Sequence, residues 1–356
     1  MKALCYASLT WDFLRSNLSN SQKIYKINFA LTYRCNLQCK TCNIWKQRYG
    51  EELSLSEIDR FFSSYSGFHW ISLTGGETFL RQDLGGILCS ACRRNPGLAL
   101  LALNTNGYLS EYIQEVILDL SKASYRPPRV IVTVSMDGPP DLHDAMRGMP
   151  GSWDRAIQSF QYLKRIPGIE VIFGTTLSSY NMDHLPAMFE ALKQALPEFR
   201  RSDLHFNLYN VSEHYYGNQD LDPPNPGDLL QALQSGLASK GEIRAPLSLL
   251  DHVFLRLTEQ YLRTGKTPIP CEACKSSCFI DPNGDIYPCT MYTRKLGNLR
   301  HTDHQFLPIM LGKEAKATRE VIQRLDCPNC WTPCESYQSI FGGIRHVIPR
   351  LLAKSK

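Results

Sequence analysis

Six runs of apolar and β-branched residues punctuate positions 25 to 211: YKINFALTY (25–33), HWISLTG (69–75), LALLALNTNG (98–107), RVIVTVSMDG (129–138), IEVIFGTTL (169–177) and LHFNLYNV (204–211). Each reads as a strand, and the gaps carry helical periodicity. Ser54-Leu-Ser-Glu57 is a capping box before Ile58, Phe61 and Phe62; Ser152 is placed to cap a helix bearing Trp153, Ile157, Phe160 and Leu163; Leu185, Met188, Phe189 and Leu192 form a further apolar face. Repeated βα units with near-continuously apolar strands predict a parallel α/β sheet, wholly or partly closed into a barrel, with the loops at the strand C-termini free for chemistry. After about Tyr209 the pattern changes. Pro223, Pro224 and Pro226 interrupt it before further helices up to about Arg263, and then FID (279–281) and DIYP (285–288) face each other across Pro282-Asn283-Gly284 as a β-hairpin with cysteines on both flanks. The expected division is an extension at 1–23, a barrel at 24–240, a helical linker at 241–264, a hairpin-and-helix module at 265–345 and a tail at 346–356.

The 356 residues, 43% of them hydrophobic, suffice for one large domain and a smaller one. No apolar stretch approaches the ~20 residues that cross a bilayer, and the first residues lack a secretory h-region, so a cytoplasmic protein is expected. The net charge of +5 is scattered rather than gathered into a stripe, which gives no ground for a nucleic acid partner, and without a spanning stretch no membrane partner is expected. Cysteine changes the picture more. There are 13, and ten fall in three short groups, which in a reducing compartment points to metal or cluster ligation rather than disulfides. Cys89 and Cys92 read as packing residues on an outer helix, and Cys5 has no neighbour in sequence.

Cys35, Cys39 and Cys42 follow the first strand directly. A stripe of small hydrophobes on one helix face is one reading; a zinc site would want a fourth ligand, and no His lies nearby. A [4Fe–4S] cluster held by three thiolates keeps one iron open for a substrate or cofactor. This CxxxCxxC after the first strand of a βα barrel resembles the radical S-adenosylmethionine (radical SAM) superfamily. The resemblance implies a partial (β/α)6 TIM-like barrel over residues 24 to about 210. It further implies that the open iron chelates SAM, and that a reduced cluster cleaves it to a 5′-deoxyadenosyl radical that abstracts hydrogen from substrate, with the electron supplied by a donor such as flavodoxin or ferredoxin. One departure is Thr41, where many members carry an aromatic or aliphatic residue over the adenine; Ile44 and Trp45 are the candidate substitutes.

Gly75, Gly76 and Glu77, at the end of the second strand, resemble the family's GGE motif, in which backbone groups and the carboxylate receive the SAM ammonium. Asn104-Thr-Asn106-Gly107 and Ser135-Met-Asp-Gly138 resemble the TNG and S-x-D-G strand ends of the peptide- and protein-modifying branch. By the same resemblance Asn106, Ser135, Thr176 and Asn207 are SAM-contact candidates. Read without it, paired glycines are a turn, and Asn, Asp and Ser are good turn formers.

Cys271, Gly284 and Cys289 fit the opening of the SPASM and twitch extensions that follow radical SAM barrels, and Cys327 and Cys330 supply the CxxC that completes four ligands. A zinc ribbon uses the same spacing. Cys274, Cys278 and Cys334 are surplus to one cluster; a full SPASM run would hold two clusters, but no cysteine follows Cys334, so one auxiliary [4Fe–4S] cluster is expected, with Cys334 as an alternative ligand. The implied activity is an oxidation or cross-link of a peptide or protein side chain; a small alcohol of the aminocyclitol kind is the alternative, and a non-catalytic electron carrier or redox sensor the alternative from another class. Sulfatase-maturing members place an Asp after the cysteine matching Cys289, where this chain has Thr290, a poor base. Tyr287, Tyr292, Asp281 and Glu335 remain as candidate bases, and the scattered histidines read as structural.

Overall fold

The computed structural model describes residues 2–18, 22–47, 50–238 and 246–352. All six expected strands form: β1 (Lys26–Ala30), β2 (Trp70–Thr74), β3 (Leu100–Thr105), β4 (Arg129–Ser135), β5 (Glu170–Leu177) and β6 (Leu204–Leu208), each parallel to the next. Around them run α1 (Lys2–Leu18), α2 (Leu55–Ser64), α3 (Leu84–Arg94), α4 (Ser110–Lys122), α5 (Pro140–Arg147), α6 (Ser152–Lys164), α7 (Leu185–Ala195), α8 (Pro226–Ala238) and α9 (Pro246–Thr264). The hairpin is β7 (Ser277–Ile280) with β8 (Asp285–Tyr287), followed by β9 (Gly297–Asn298), α10 (Leu307–Met310), α11 (Lys313–Gln323), α12 (Pro333–Gly342) and α13 (Ile344–Leu352). Among the described residues no helix is long and apolar enough to cross a membrane.

The hairpin is not a separate sheet. β7 pairs in parallel with β1, Lys26↔Ser277 through Phe29↔Ile280, so that one nine-stranded sheet runs β6-β5-β4-β3-β2-β1-β7-β8-β9. All five residues of β1 are buried, the polar Lys26 and Asn28 included. Phe29 faces α2, edge-on to Phe61 at 5.9 Å. On the opposite, concave face α12 enters beneath the strands: Lys26 Nζ donates to Gln338 Oε1 (2.6 Å) and to the Cys334 carbonyl, and Asn28 Nδ2 donates to Glu335 Oε1 (3.0 Å). Ser277 Oγ donates to Glu335 Oε2 at 2.6 Å. Burial lowers the Lys26 pKa and pushes that of Glu335 up to about 7, so the two charges depend on each other.

Several boundaries change. The capping box of α2 is present, but Ser152 is the first residue of α6 rather than its cap. The cap is Asp144 of α5, whose carboxylate accepts from Gly151 N (2.5 Å), Trp153 N (2.8 Å) and Ser152 Oγ (2.9 Å). The extension at 1–23 is largely the packed helix α1, with Asp12 buried against His69 and Lys23 (2.7 Å to the lysine) and Phe13 stacked on Phe341 at 4.5 Å. The expected linker at 241–264 is α9 from Pro246 onward, residues 241–245 lying outside the described ones; the expected tail is helical to Leu352, and 353–356 lie outside.

Candidate SAM and iron–sulfur site

The segment carrying Cys35, Cys39 and Cys42 leaves β1 as irregular backbone and ends in a single 3-10 turn at Ile44–Lys46, so the three thiols do not form a helical stripe. Two neighbours shape it. Gly76 N donates to Thr32 O (2.7 Å) and Glu77 N to Arg34 O (2.8 Å); Gln38 N and Lys40 N donate to Arg147 O (3.0 Å) and Met146 O (2.8 Å) at the end of α5. The thiols lie near enough to influence one another, although burial is the larger effect, pushing Cys35 up to about 11 and Cys42 up to about 12. Ligation by a cationic cluster is what would make such sites thiolates.

The glycine pair is demanded by the close approach of two backbones. A Cβ on Gly75, whose φ is +144°, would stand 2.3 Å from Thr32 O, and one on Gly76 would stand 2.2 Å from Arg34 O. Glu77 is engaged within the chain. Its carboxylate is 1% exposed and accepts from Phe79 N (3.1 Å), Thr105 Oγ1 (2.9 Å) and Asn106 N (2.7 Å), with burial pushing its pKa up to about 7. It ties the end of β2 to the end of β3. Asn106 is also engaged, donating from Nδ2 to Asn36 Oδ1 at 2.8 Å within the cysteine loop. Ser135, Thr176 and Asn207 do share one face: Ser135 is in register with Gly174, and Thr176 with Asn207, whose Oδ1 is buried without a partner.

Arg147 was not singled out by the sequence. Its buried guanidinium pairs with Asp137 at 2.7 Å, reaches Cys39 Sγ at 3.6 Å and keeps a buried Nε without a partner. The only sequence signal was Arg at the last turn of a helix after S-x-D-G.

The second cysteine group lines a pocket with Cys271, Cys289, Cys327 and Cys330 around it. Cys334 is not in that lining and contributes its carbonyl to Lys26 and Asn28. Cys274, with φ of +61°, points its thiol to Ala315 O (3.6 Å), and Cys278 is fully buried in β7; both belong to the core. Among the described residues no three His, Cys, Asp or Glu side chains are gathered tightly enough for one metal ion; a four-iron cluster is a larger body with a thiolate at each corner. Of the candidate bases, Glu335 sits in the Lys26 network, Tyr287 stacks on His214 at 4.2 Å, and Asp281 accepts from Asn283 N (2.9 Å), Asp285 N (2.8 Å) and Tyr33 OH (3.2 Å), its pKa pushed up to about 6 by burial. Tyr33 lies two residues before Cys35, so this last contact bridges the two cysteine regions.

The radical SAM superfamily matches residues 29–192, and the iron–sulfur cluster-binding SPASM domain matches residues 271–335. Those two stretches of the chain are a radical SAM domain and a SPASM domain. The two domains imply SAM, a [4Fe–4S] cluster and auxiliary iron–sulfur ligation as cofactors. It is 25% identical to the antilisterial bacteriocin subtilosin biosynthesis protein AlbA of Bacillus subtilis over 78% of this chain and 58% of that one. It is 24% identical to the AdoMet-dependent heme synthase of Methanosarcina barkeri over 77% of this chain and 79% of that one. Its fold resembles anSMEcpe with bound AdoMet and Cp18Cys peptide, with a TM-score of 0.58, 17% identity, and coverage of 92% of this chain and 98% of that one. The chain spans between 40% and 58% of the length of the first curated relatives it matches.

Proposed function

We propose that this radical SAM enzyme oxidises or cross-links an amino-acid side chain in a peptide or protein. The observation that carries the oxidative reading is the pairing of β7 with β1, which joins the hairpin flanked by Cys271 and Cys289 to the sheet whose strand β1 leads into Cys35. A substrate that loses a hydrogen atom retains an odd electron, and an oxidation is complete only when a nearby acceptor takes it. The peptide reading is supported by the likeness to AlbA over three quarters of the chain.

The residues present fit the cofactors. Cys35, Cys39 and Cys42 are assigned to the SAM-binding cluster; Cys271, Cys289, Cys327 and Cys330 are assigned to a single closed auxiliary cluster, with Cys334 outside it. When bound, the SAM-binding cluster supplies one-electron cleavage of SAM and thereby hydrogen abstraction. The orphaned Nε of Arg147 and Oδ1 of Asn207 mark where polar ligand groups would complete the site. Arg147 is assigned to the SAM carboxylate, a charge-assisted contact that Asp137 holds in place. Gly75, Gly76, Ser135 and Thr176 line the remaining approach, and Glu77 and Asn106 brace the loops. A flavodoxin or ferredoxin supplies the electron, and the all-free cysteines of the described residues suit a cytoplasmic setting.

The test is anaerobic turnover of reconstituted enzyme with reductant, SAM and a precursor peptide encoded beside the gene, read by mass spectrometry. Loss of two hydrogens from the peptide with matching 5′-deoxyadenosine is expected. Turnover of only a small alcohol or a tetrapyrrole carboxylate would overturn the peptide assignment. A Cys327→Ala, Cys330→Ala double variant should still cleave SAM while losing peptide product; normal product from it would exclude the auxiliary cluster as acceptor.

A further inference from the structure

Thirteen large apolar side chains are exposed among the described residues, and nine of them lie on two helices, α1 and α13. On α1 they are Leu4, Tyr6, Trp11, Leu14 and Leu18; on α13 they are Ile344, Ile348, Leu351 and Leu352. Leu4, Ala7, Trp11, Leu14 and Leu18 recur at alternating steps of three and four, one unbroken stripe along a helix of 17 residues. It is not the stripe that packs on the protein, because Cys5 and Asp12 are the buried residues of α1 and Phe13 stacks on Phe341. The helix is thus apolar on two faces, one of them facing water. The start of α13 is tied to the end of α1: Asn17 Nδ2 donates to Phe341 O (2.6 Å), and Ile344 N donates to Asn17 Oδ1 (2.9 Å).

The charge around this face has one sign. Residues 1–18 carry Lys2 and Arg15, and residues 336–356 carry Arg345, Arg350, Lys354 and Lys356 with no Asp or Glu at all. The one carboxylate of α1, Asp12, is buried against Lys23 and His69. A second copy would bring the same cations against these, whereas an anionic surface complements them. Apolar stripes with an interfacial Trp and Tyr and a cationic rim are the pattern of helices that lie in a membrane interface. The face also lies at the correct end of the fold for such seating. Asp12 meets His69 just before β2, and Cys5 Sγ meets Pro96 O (3.6 Å) before β3, so α1 covers the N-terminal ends of the strands, opposite the cysteine loop.

We propose that α1 and α13 seat this enzyme on an anionic lipid surface, with its cysteine loop directed away from the membrane. The expectation of no membrane partner rested on the lack of a spanning stretch, and a helix lying in the interface needs none.

The test uses the full reconstituted chain sedimented with vesicles of mixed phosphatidylglycerol and phosphatidylcholine, and with phosphatidylcholine alone, at low and high salt. Binding to the anionic vesicles that weakens with salt is expected, with a blue shift in emission from Trp11, which is 62% exposed. A Leu4→Glu, Leu18→Glu variant and an Ile348→Glu, Leu352→Glu variant should each lose at least about tenfold in partitioning while cleaving SAM as the unmodified chain does. The proposal is overturned if the chain stays in the supernatant with anionic vesicles or binds neutral ones equally. It is also overturned if these variants instead abolish a concentration-dependent dimer, which would give the face to a second copy.

Discussion

Gly76→Ala is the sharpest test of why two glycines follow β2. The added Cβ would lie 2.2 Å from Arg34 O and 2.6 Å from Tyr33 O, both backbone atoms that no rotamer change can move. Relief requires the cysteine loop to draw away, which breaks Gly76 N to Thr32 O (2.7 Å) and Glu77 N to Arg34 O (2.8 Å). At about 0.5–1.5 kcal/mol net for each hydrogen bond, with about 1–3 kcal/mol of residual backbone strain, the cost is about 4 kcal/mol. Arg34 precedes Cys35, so the displacement also moves the first thiol of the triad. Urea unfolding of the apo chain should show this loss, and anaerobic reconstitution should recover about half the iron, the auxiliary cluster alone. Gly85→Ala is the control, because a Cβ there meets nothing within 4 Å, and on a helix it should gain about 0.5–1 kcal/mol. Undiminished stability and full iron in Gly76→Ala would refute the packing argument; intact stability and iron with lost SAM affinity would show that the glycines serve ligand approach alone.

Lys26→Met should cost about 1–3 kcal/mol by taking the donor from the Cys334 carbonyl and Gln338 Oε1 and the neighbouring cation from the buried Glu335, as thermal unfolding would show. Burial holds Glu77 and Glu335 up to about 7 from the usual 4.5. Between those values the folded chain binds more protons than the unfolded one, so stability should fall as pH rises from 5 to 7, and Glu335→Gln should flatten part of that slope in urea midpoints. Arg300 donates to Glu57 Oε1 (2.6 Å) and to Glu51 O (2.9 Å), joining the SPASM region to the start of α2; Arg300→Ala should cost about 1–3 kcal/mol by the same measurement. The Arg300 hydrogen bond holds the Glu57 pKa well below the usual range, so this contribution is present at neutral pH and fades as the solution is acidified. Cys274→Ala and Cys278→Ala should retain about eight irons per chain, the content of two four-iron clusters.

What the sequence disclosed was local. The strands were legible from their apolar and β-branched runs, of which at least every second residue is buried, and the hairpin because Pro282-Asn283-Gly284 sets its turn. The two cysteine groups were legible by spacing, and the structure brings Cys271, Cys289, Cys327 and Cys330 around one pocket. What escaped depends on partners distant in the chain. Nothing local indicates that Cys278 pairs beside Ile27, that Asp144 rather than Ser152 caps α6, or that Lys26, a residue that usually marks a strand as exposed, is neutralised by a helix 300 residues later. Nor does the motif at Glu77 show that its carboxylate accepts from the backbone amide of Asn106, 29 residues later.

The union of β1 with β7 also sets a timetable for the nascent chain. Ser277 must be synthesised before it can meet Lys26, an interval of roughly 12 to 50 s at bacterial and eukaryotic translation speeds of roughly 5–20 residues per second. Throughout it, β1 holds β2 on one side and offers an unpaired apolar edge on the other, the geometry that recruits foreign strands. Expression should therefore respond to chaperones that shield strand edges on the ribosome, and fragments ending before Ser277 should aggregate, however complete their barrel.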